Sequence, residues 1–142
     1  MSHRFTGERT LMRIFIGSRD KCRSGKDEGH ALHRALLSYF RAHDFPGATI
    51  VTGVAGYGAH SRVHTTSIEL LSLDLPIVVE VVASEEALQK ALPDLDEMID
   101  GGLITLEPVR VILYRPHDLP EDERWSHRIV GLHPDDGRPD GV

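Results

Sequence analysis

Two hydrophobic periods alternate along this chain. Leu11-Met12-Arg13-Ile14-Phe15-Ile16 is an apolar run with one charge, closed by Gly17, and reads as a first strand. From Asp27 to His43, residues Ala31, Leu32, Ala35, Leu36, Tyr39 and Phe40 recur at three- and four-residue steps, the stripe of an amphipathic helix. Asp27 and Glu28 suit its N-terminal end, Arg41 and His43 its C-terminal end, and Pro46-Gly47 its stop. The charged stretch between, Ser18 to Gly29, has no apolar anchor and reads as an exposed loop. Ala48 to Val54 is a second strand. Leu75 to Val82 is a third, and its near-continuous Ile-Val-Val-Glu-Val-Val suggests a central strand covered on both faces.

Ser84 is a good N-cap, with Glu85 and Glu86 in the first turn of a second helix. Leu88, Ala91, Leu92, Leu95 and Ile99 form its stripe, and Pro93 inside that stripe predicts a kink or a fresh start. Gly101-Gly102 ends it. Leu103–Leu106 and Val109–Tyr114 are β-rich, and Pro108 between them predicts a bent or broken strand at a sheet edge. Ser67 to Leu73 mixes apolar and polar positions without a firm element. The order β-α-β-β-α-β is that of an α+β, ferredoxin-like domain: an antiparallel sheet with two helices on one face. We expect a flexible N-terminus over residues 1–10, the domain over 11–115, and a disordered tail over 116–142, where Pro, Asp, Gly and His dominate. The bare face of such a sheet needs cover, and a homo-oligomer supplies it.

Composition narrows the function. The chain has 142 residues, a net charge of −6 and one cysteine. These fit one soluble domain in a reducing cytoplasm, without a disulfide framework and without broad affinity for nucleic acid. No apolar run approaches the ~20 residues of a membrane span.

The candidate chemistry gathers after the second strand, where a loop from Gly56 to about Thr66 is longer than a hairpin needs. Gly53, Gly56 and Gly58 form Gly-x-x-Gly-x-Gly. Glycines permit positive φ and a close ligand approach to backbone N–H groups, and they equally permit a bulge or a strand exit. Arg19, Lys21, Arg23 and Lys26 could meet a phosphate but read more simply as a solvated loop. The histidine pairs His30/His33 and His60/His64, and the acidic set Asp94, Asp96, Glu97 and Asp100, could serve a divalent metal but read more simply as exposed loop and helix-surface residues. Similarity to a related ferredoxin-like family tied to ion tolerance leaves open a divalent-metal-binding trimer. Cys22 sits among basic residues without a partner acid or histidine in any motif. No serine elbow and no Walker loop occurs, so nothing points to an enzyme.

Taken together, Gly47-Ala48-Thr49, Gly53-Val54-Ala55-Gly56-Tyr57-Gly58, Arg62-Val63-His64-Thr65, Leu75-Pro76-Ile77-Val78-Val79-Glu80 and Gly102-Leu103-Ile104-Thr105-Leu106-Glu107 resemble the PII-like family called domain of unknown function 190. The resemblance spans Leu11 to Arg115. It implies a homotrimer of signalling proteins with a cleft between each pair of subunits. A small ligand there would be an adenine nucleotide: AMP, ADP, ATP or a cyclic nucleotide. The loop after strand two would be a T-loop, read by a membrane transporter or an enzyme. Gly56 and Gly58 match the Gly-Phe-Gly at the base of that loop, where backbone approaches phosphate. Arg115 is the nearest match to an arginine of the phosphate clamp, and Arg110 is a looser one. Arg62, His64 and Thr65 would lie in the responsive loop. The glycine- and lysine-rich phosphate loop of PII proteins has no counterpart; Ala91-Leu92-Pro93-Asp94-Leu95-Asp96-Glu97 stands in its region and is acidic. On this resemblance, Arg115→Ala weakens nucleotide affinity in calorimetric titration and leaves the melting temperature of the free protein unchanged. Unaltered affinity removes Arg115 from the site.

Overall fold

The computed structural model describes residues 5–58 and 74–114. Their elements run β1 (Phe5–Gly17), α1 (Leu32–Ala42), β2 (Thr49–Thr52), β3 (Pro76–Ala83), α2 (Glu85–Met98) and β4 (Leu103–Tyr114). The strands form one sheet in the order β2-β3-β1-β4, and every neighbouring pair is antiparallel. This is the expected ferredoxin-like α+β arrangement. The tail over 116–142 and the stretch Ser67–Leu73 lie outside the described residues. No helix among the described residues is long and apolar enough to cross a membrane.

The period-2 pattern of the strands divides the sheet into two faces. On β1, Met12, Ile14 and Ile16 point into the core, joined by Ile77, Val79, Val81 and Ala83 from β3. The helices cover that face with Leu32, Ala35, Leu36 and Phe40 from α1 and Ala87, Leu88, Ala91 and Leu95 from α2. β3 is central in the sheet, as expected, but its burial alternates strictly. Among the described residues, only one of its faces is covered. The opposite face of the sheet carries exposed Phe15, Val51 and Leu103 beside half-buried Val78 and Val82. At its centre Arg13 pairs with Glu107 and approaches Glu80 at 4.0 Å.

Several boundaries differ from the sequence expectation, each for a local reason. β1 opens at Phe5, not Leu11, so the stretch expected to be flexible is paired backbone from Phe5 on. Glu8 and Arg9 lie opposite Arg110 and Val109 of β4, beyond the reach of β3. Gly7 takes φ +147° at the bulge where the register shifts. α1 starts at Leu32 rather than Asp27. Residues 25–29 instead form turns with Gly25 and Gly29 at positive φ, and Asp27 and Glu28 play no part in the helix's first turn. α1 ends before Pro46-Gly47. Asp44 takes φ +60°, its N–H donates to Arg41 O, and Phe45 N–H donates to Phe40 O, with the two Phe rings edge-to-face at 5.1 Å. That is a Schellman stop with its apolar clasp. α2 runs unbroken through Pro93. β4 is continuous through Pro108, whose position on the edge strand β4 is where a missing N–H is tolerated.

In the stretch expected to be a solvated basic loop, Arg19, Lys21, Arg23 and Lys26 are exposed as expected, but Cys22, Arg23 and Ser24 also have structural roles. Cys22 is buried in the core, and its thiol donates to Ser24 O at 3.2 Å. Arg23 Nη2 donates to Asp96 O at 2.6 Å, Arg23 Nε and Ser24 Oγ donate to Glu97 O at 3.2 and 2.8 Å, and Arg23 N–H donates to Met98 O at 2.9 Å. Arg23 and Ser24 thus satisfy the last carbonyls of α2, which a helix cannot satisfy itself. At the other end Ser84 Oγ accepts from Ala87 N–H at 3.1 Å, the cap expected from the sequence.

Tyr39 ties the two helices together. Its hydroxyl donates to Asp94 Oδ2 at 2.6 Å, and the His43 ring stacks on it at 4.1 Å. Burial first, then the bond to Asp94 and that carboxylate's charge, push the Tyr39 phenol well above its ordinary range. Burial also raises Tyr114. A raised folded-state value means the unfolded chain loses its proton first. Stability is therefore full below pH of about 10 and falls as the pH climbs above it. Tyr39→Phe should flatten part of that alkaline slope in urea unfolding measured between pH 9 and 11, and an unchanged slope would contradict the assignment.

Candidate functional site

At one end of the sheet, β1 stops at Gly17 directly opposite the first residue of β3, Pro76. Both limbs of the long loop join the sheet here, one leaving β2 at Gly53 and the other entering β3 at Asp74-Leu75. The connection from α2 to β4 arrives beside them. Between these segments lies a groove of about 920 Å³, within the size of small-molecule sites. The turn after β1 forms one wall with Asp20, Lys21 and Arg23. Gly56, Tyr57 and Gly58 form another, and Asp100 to Leu103 close the end. Its apolar lining comes from Phe15, Ile16, Leu32 and Ile77.

The walls are held by specific hydrogen bonds. Asp20 Oδ2 accepts from Gly17 N–H at 2.9 Å, and Asp20 O accepts from the first helical amide, Leu32, at 2.8 Å. Asp74 Oδ1 accepts from Arg19 N–H at 2.8 Å and from Ser18 Oγ at 3.3 Å. Ser18 N–H donates to Leu75 O, and Leu75 N–H donates to Ser18 Oγ at 3.0 Å. The Asp74 carboxylate lies so close over Gly17 that any Cβ there would collide with it. Gly102 has a like reason: a Cβ would sit 2.8 Å from Phe15 O.

Of the residues expected at the site, Gly56 and Gly58 line this groove. Arg62, His64, Thr65 and Arg115 lie outside the described residues. The looser match, Arg110, is exposed on β4 opposite Glu8, in the ribbon beyond β3. The glycines earn their places differently from one another. Positive φ among the described glycines occurs at Gly7, Gly25 and Gly29, and not at Gly53, Gly56 or Gly58. A Cβ on Gly53 would meet Pro76 Cγ at 2.6 Å and one on Gly56 would meet it at 3.1 Å, while Gly58 faces open space. Gly53 and Gly56 therefore serve close packing against the Pro76 ring, and Gly58 leaves its backbone accessible from the groove.

The charges are largely committed. Arg23 holds the end of α2 and lies 3.5 Å from Asp100. Asp20 and Asp74 accept from backbone amides. Asp94 accepts from Tyr39. Among the described residues no group of three His, Cys, Asp or Glu side chains is placed to hold a metal ion. His60 and His64 lie outside them.

Sequence reasoning missed Gly17, Ser18, Asp20 and Asp74 as wall-builders. The signal was present: a Gly-Ser-x-Asp turn closing a strand and a lone Asp preceding Leu-Pro at the start of another are both hydrogen-bonding punctuation.

Comparison with known proteins follows the same boundaries. Residues 9–111 match the family described as DUF190, an uncharacterized ACR family. The chain is 31% identical over 105 residues to a UPF0166 protein of Aquifex aeolicus, covering 74% of this chain and 94% of that one. It is 30% identical over 102 residues to a UPF0166 protein of Methanocaldococcus jannaschii, covering 71% and 89%. A second Aquifex aeolicus UPF0166 protein is 40% identical over 65 residues, 46% of this chain and 68% of that one.

The packing account separates the glycines by stability. Gly53→Ala should cost about 1–3 kcal/mol, as overpacking does, whereas Gly58→Ala should stay within about 0.5 kcal/mol of wild type. Urea unfolding of both variants checks this, and equal losses would contradict it.

Proposed function

The chain belongs to the DUF190 family, which is PII-like, and from that membership we propose that it is a trimeric regulatory protein. It binds a small ligand, an adenine nucleotide, in the groove at the base of its long loop. It passes occupancy to a transporter or an enzyme through that loop. The carrying observation is the groove itself. It opens where both loop limbs, the turn after β1 and the α2–β4 connection converge, and Gly56 and Gly58 line it. A ligand touching Gly56-Tyr57-Gly58 necessarily touches the root of the loop. The mechanism is a population shift: the ligand favours the loop arrangement it binds better, by no more than its difference in affinity for the two.

The open sheet face supports self-association. Phe15, Val51 and Leu103 are exposed on it, and the Arg13–Glu107 pair with Glu80 occupies its centre. Apolar side chains beside an already paired charge suit burial, because the charge is matched before the face is covered. Copies of the same chain arranged around an axis would cover these faces for one another.

A thermal-shift panel of AMP, ADP, ATP, cyclic AMP and zinc, run beside light scattering, tests both parts. The expected result is a particle with the mass of three chains and a rise of several degrees with an adenine nucleotide. Ligand at about a hundred times its Kd adds roughly 2.7 kcal/mol per site. A monomer contradicts the assembly. A panel in which zinc alone raises the melting temperature contradicts the nucleotide reading and favours metal binding.

A further inference from the structure

The two limbs of the long loop are attached to the sheet in different ways. Within the described residues of the outgoing limb, Gly53 N–H donates to Pro76 O at 2.7 Å, and beyond it Val54 and Tyr57 are 92% and 78% exposed. The return limb is tied to the groove wall by a relay. Leu75 N–H donates to Ser18 Oγ, Ser18 Oγ donates to Asp74 Oδ1, and Asp74 Oδ1 also accepts from Arg19 N–H, at 3.0, 3.3 and 2.8 Å. Ser18 N–H returns a bond to Leu75 O at 2.8 Å. The same carboxylate rests on Gly17, where only hydrogen leaves room for it.

We infer that Ser18 and Asp74 are positioning residues that make the turn after β1 and the return limb of the loop move as one unit. This rests on the ligand reading of the groove and adds a route to it. A ligand pressing on the wall at Gly17–Lys21 is registered at Leu75, through Ser18 and Asp74, in addition to its direct contact with the outgoing limb at Gly56–Gly58. Neither residue needs to touch the ligand. Chemically the relay requires a hydroxyl that donates and accepts at once, and a carboxylate oxygen able to take two donors; Ser and Asp supply these. Losing either breaks the link; Asp74 itself lines the groove, so Ser18 is the residue whose loss leaves the lining side chains in place.

The test is amide hydrogen exchange on the full chain, first without ligand. Asp74→Ala should speed exchange at Arg19 and Leu75 together, by about tenfold, since each loses its acceptor or the group orienting it. Ser18→Ala should speed Leu75 and leave Arg19 bonded to Asp74. Asp74→Asn, which keeps an acceptor oxygen, should stay near wild type. Leu88 and Ile99, bonded within α2 to Ser84 O and Leu95 O, report any general loosening. If Asp74→Ala speeds Arg19 relative to these amides but leaves Leu75 unchanged, the relay is overturned. The second arm adds saturating AMP. Wild type should gain protection at Lys21 and Leu75 together, and Ser18→Ala at Lys21 alone; protection of both in Ser18→Ala overturns the route. If AMP protects neither amide in wild type, the nucleotide reading fails, while the ligand-free arm still decides whether the clasp exists.

Discussion

The antiparallel ladder between β1 and β3, from Thr10 against Ala83 to Gly17 against Pro76, sets the parity of the whole sheet. Side chains alternate with a period of two, so a slip of one residue would turn Met12, Ile14 and Ile16 out of the core and bring Arg13 into it. The parity is enforced from the helix side by Leu36, Phe40, Leu88 and Leu95, all fully buried. Each such side chain stabilises the fold by about 1.5–3 kcal/mol relative to exposure. The same register puts Arg13 beside Glu80 on the open face. A shift would leave a buried charge unpaired, so the electrostatics and the packing select the same alignment.

The end of that ladder is also the root of the groove. Because Gly17 lies against Pro76, the turn after β1 must pass beside the place where the long loop re-enters the sheet. The Asp74 carboxylate fits there only because residue 17 has no side chain. The close approach of Gly53 and Gly56 to the Pro76 ring draws the outgoing limb to the same point. Arg23 and Ser24 then anchor the turn to the carbonyl end of α2, which brings Asp100 to Leu103 to the end of the groove. The groove is thus a consequence of register, three close glycine contacts and one borrowed helix cap. Its proposed role follows from its location at the root of a loop rather than from any catalytic grouping.

Much of this architecture was legible in the sequence. The stripes Ala35, Leu36, Phe40 and Leu88, Ala91, Leu95 are the buried helix faces, Ser84 is the cap it resembled, and the order of elements gave the fold class. Periodicity reports such faces because burial is decided by which side a residue is on. The features that escaped depend on partners distant in sequence. Arg23 looked like a solvated charge because its acceptors lie some seventy residues away. The strand over Phe5–Arg9 is polar, and pairing with β4 rather than burial makes it a strand. The start of α1 was misplaced because Asp27 and Glu28, acidic residues that suit a helix N-terminus, yield to the turns around Gly25 and Gly29. At the site, Gly56 and Gly58 were found as loop-base glycines, but the reason for Gly56 is the Pro76 ring, which no local pattern announces.

The central claim is that a nucleotide occupies the groove at the loop base. The most direct measurement is an NMR titration of isotope-labelled protein with AMP, following backbone amides. The account predicts that the largest shifts fall on Tyr57, Gly58, Lys21 and Gly102, around the groove, with Val51 and Val82 on the open sheet face unmoved. Shifts concentrated on the open face, or none at saturating AMP, would contradict it.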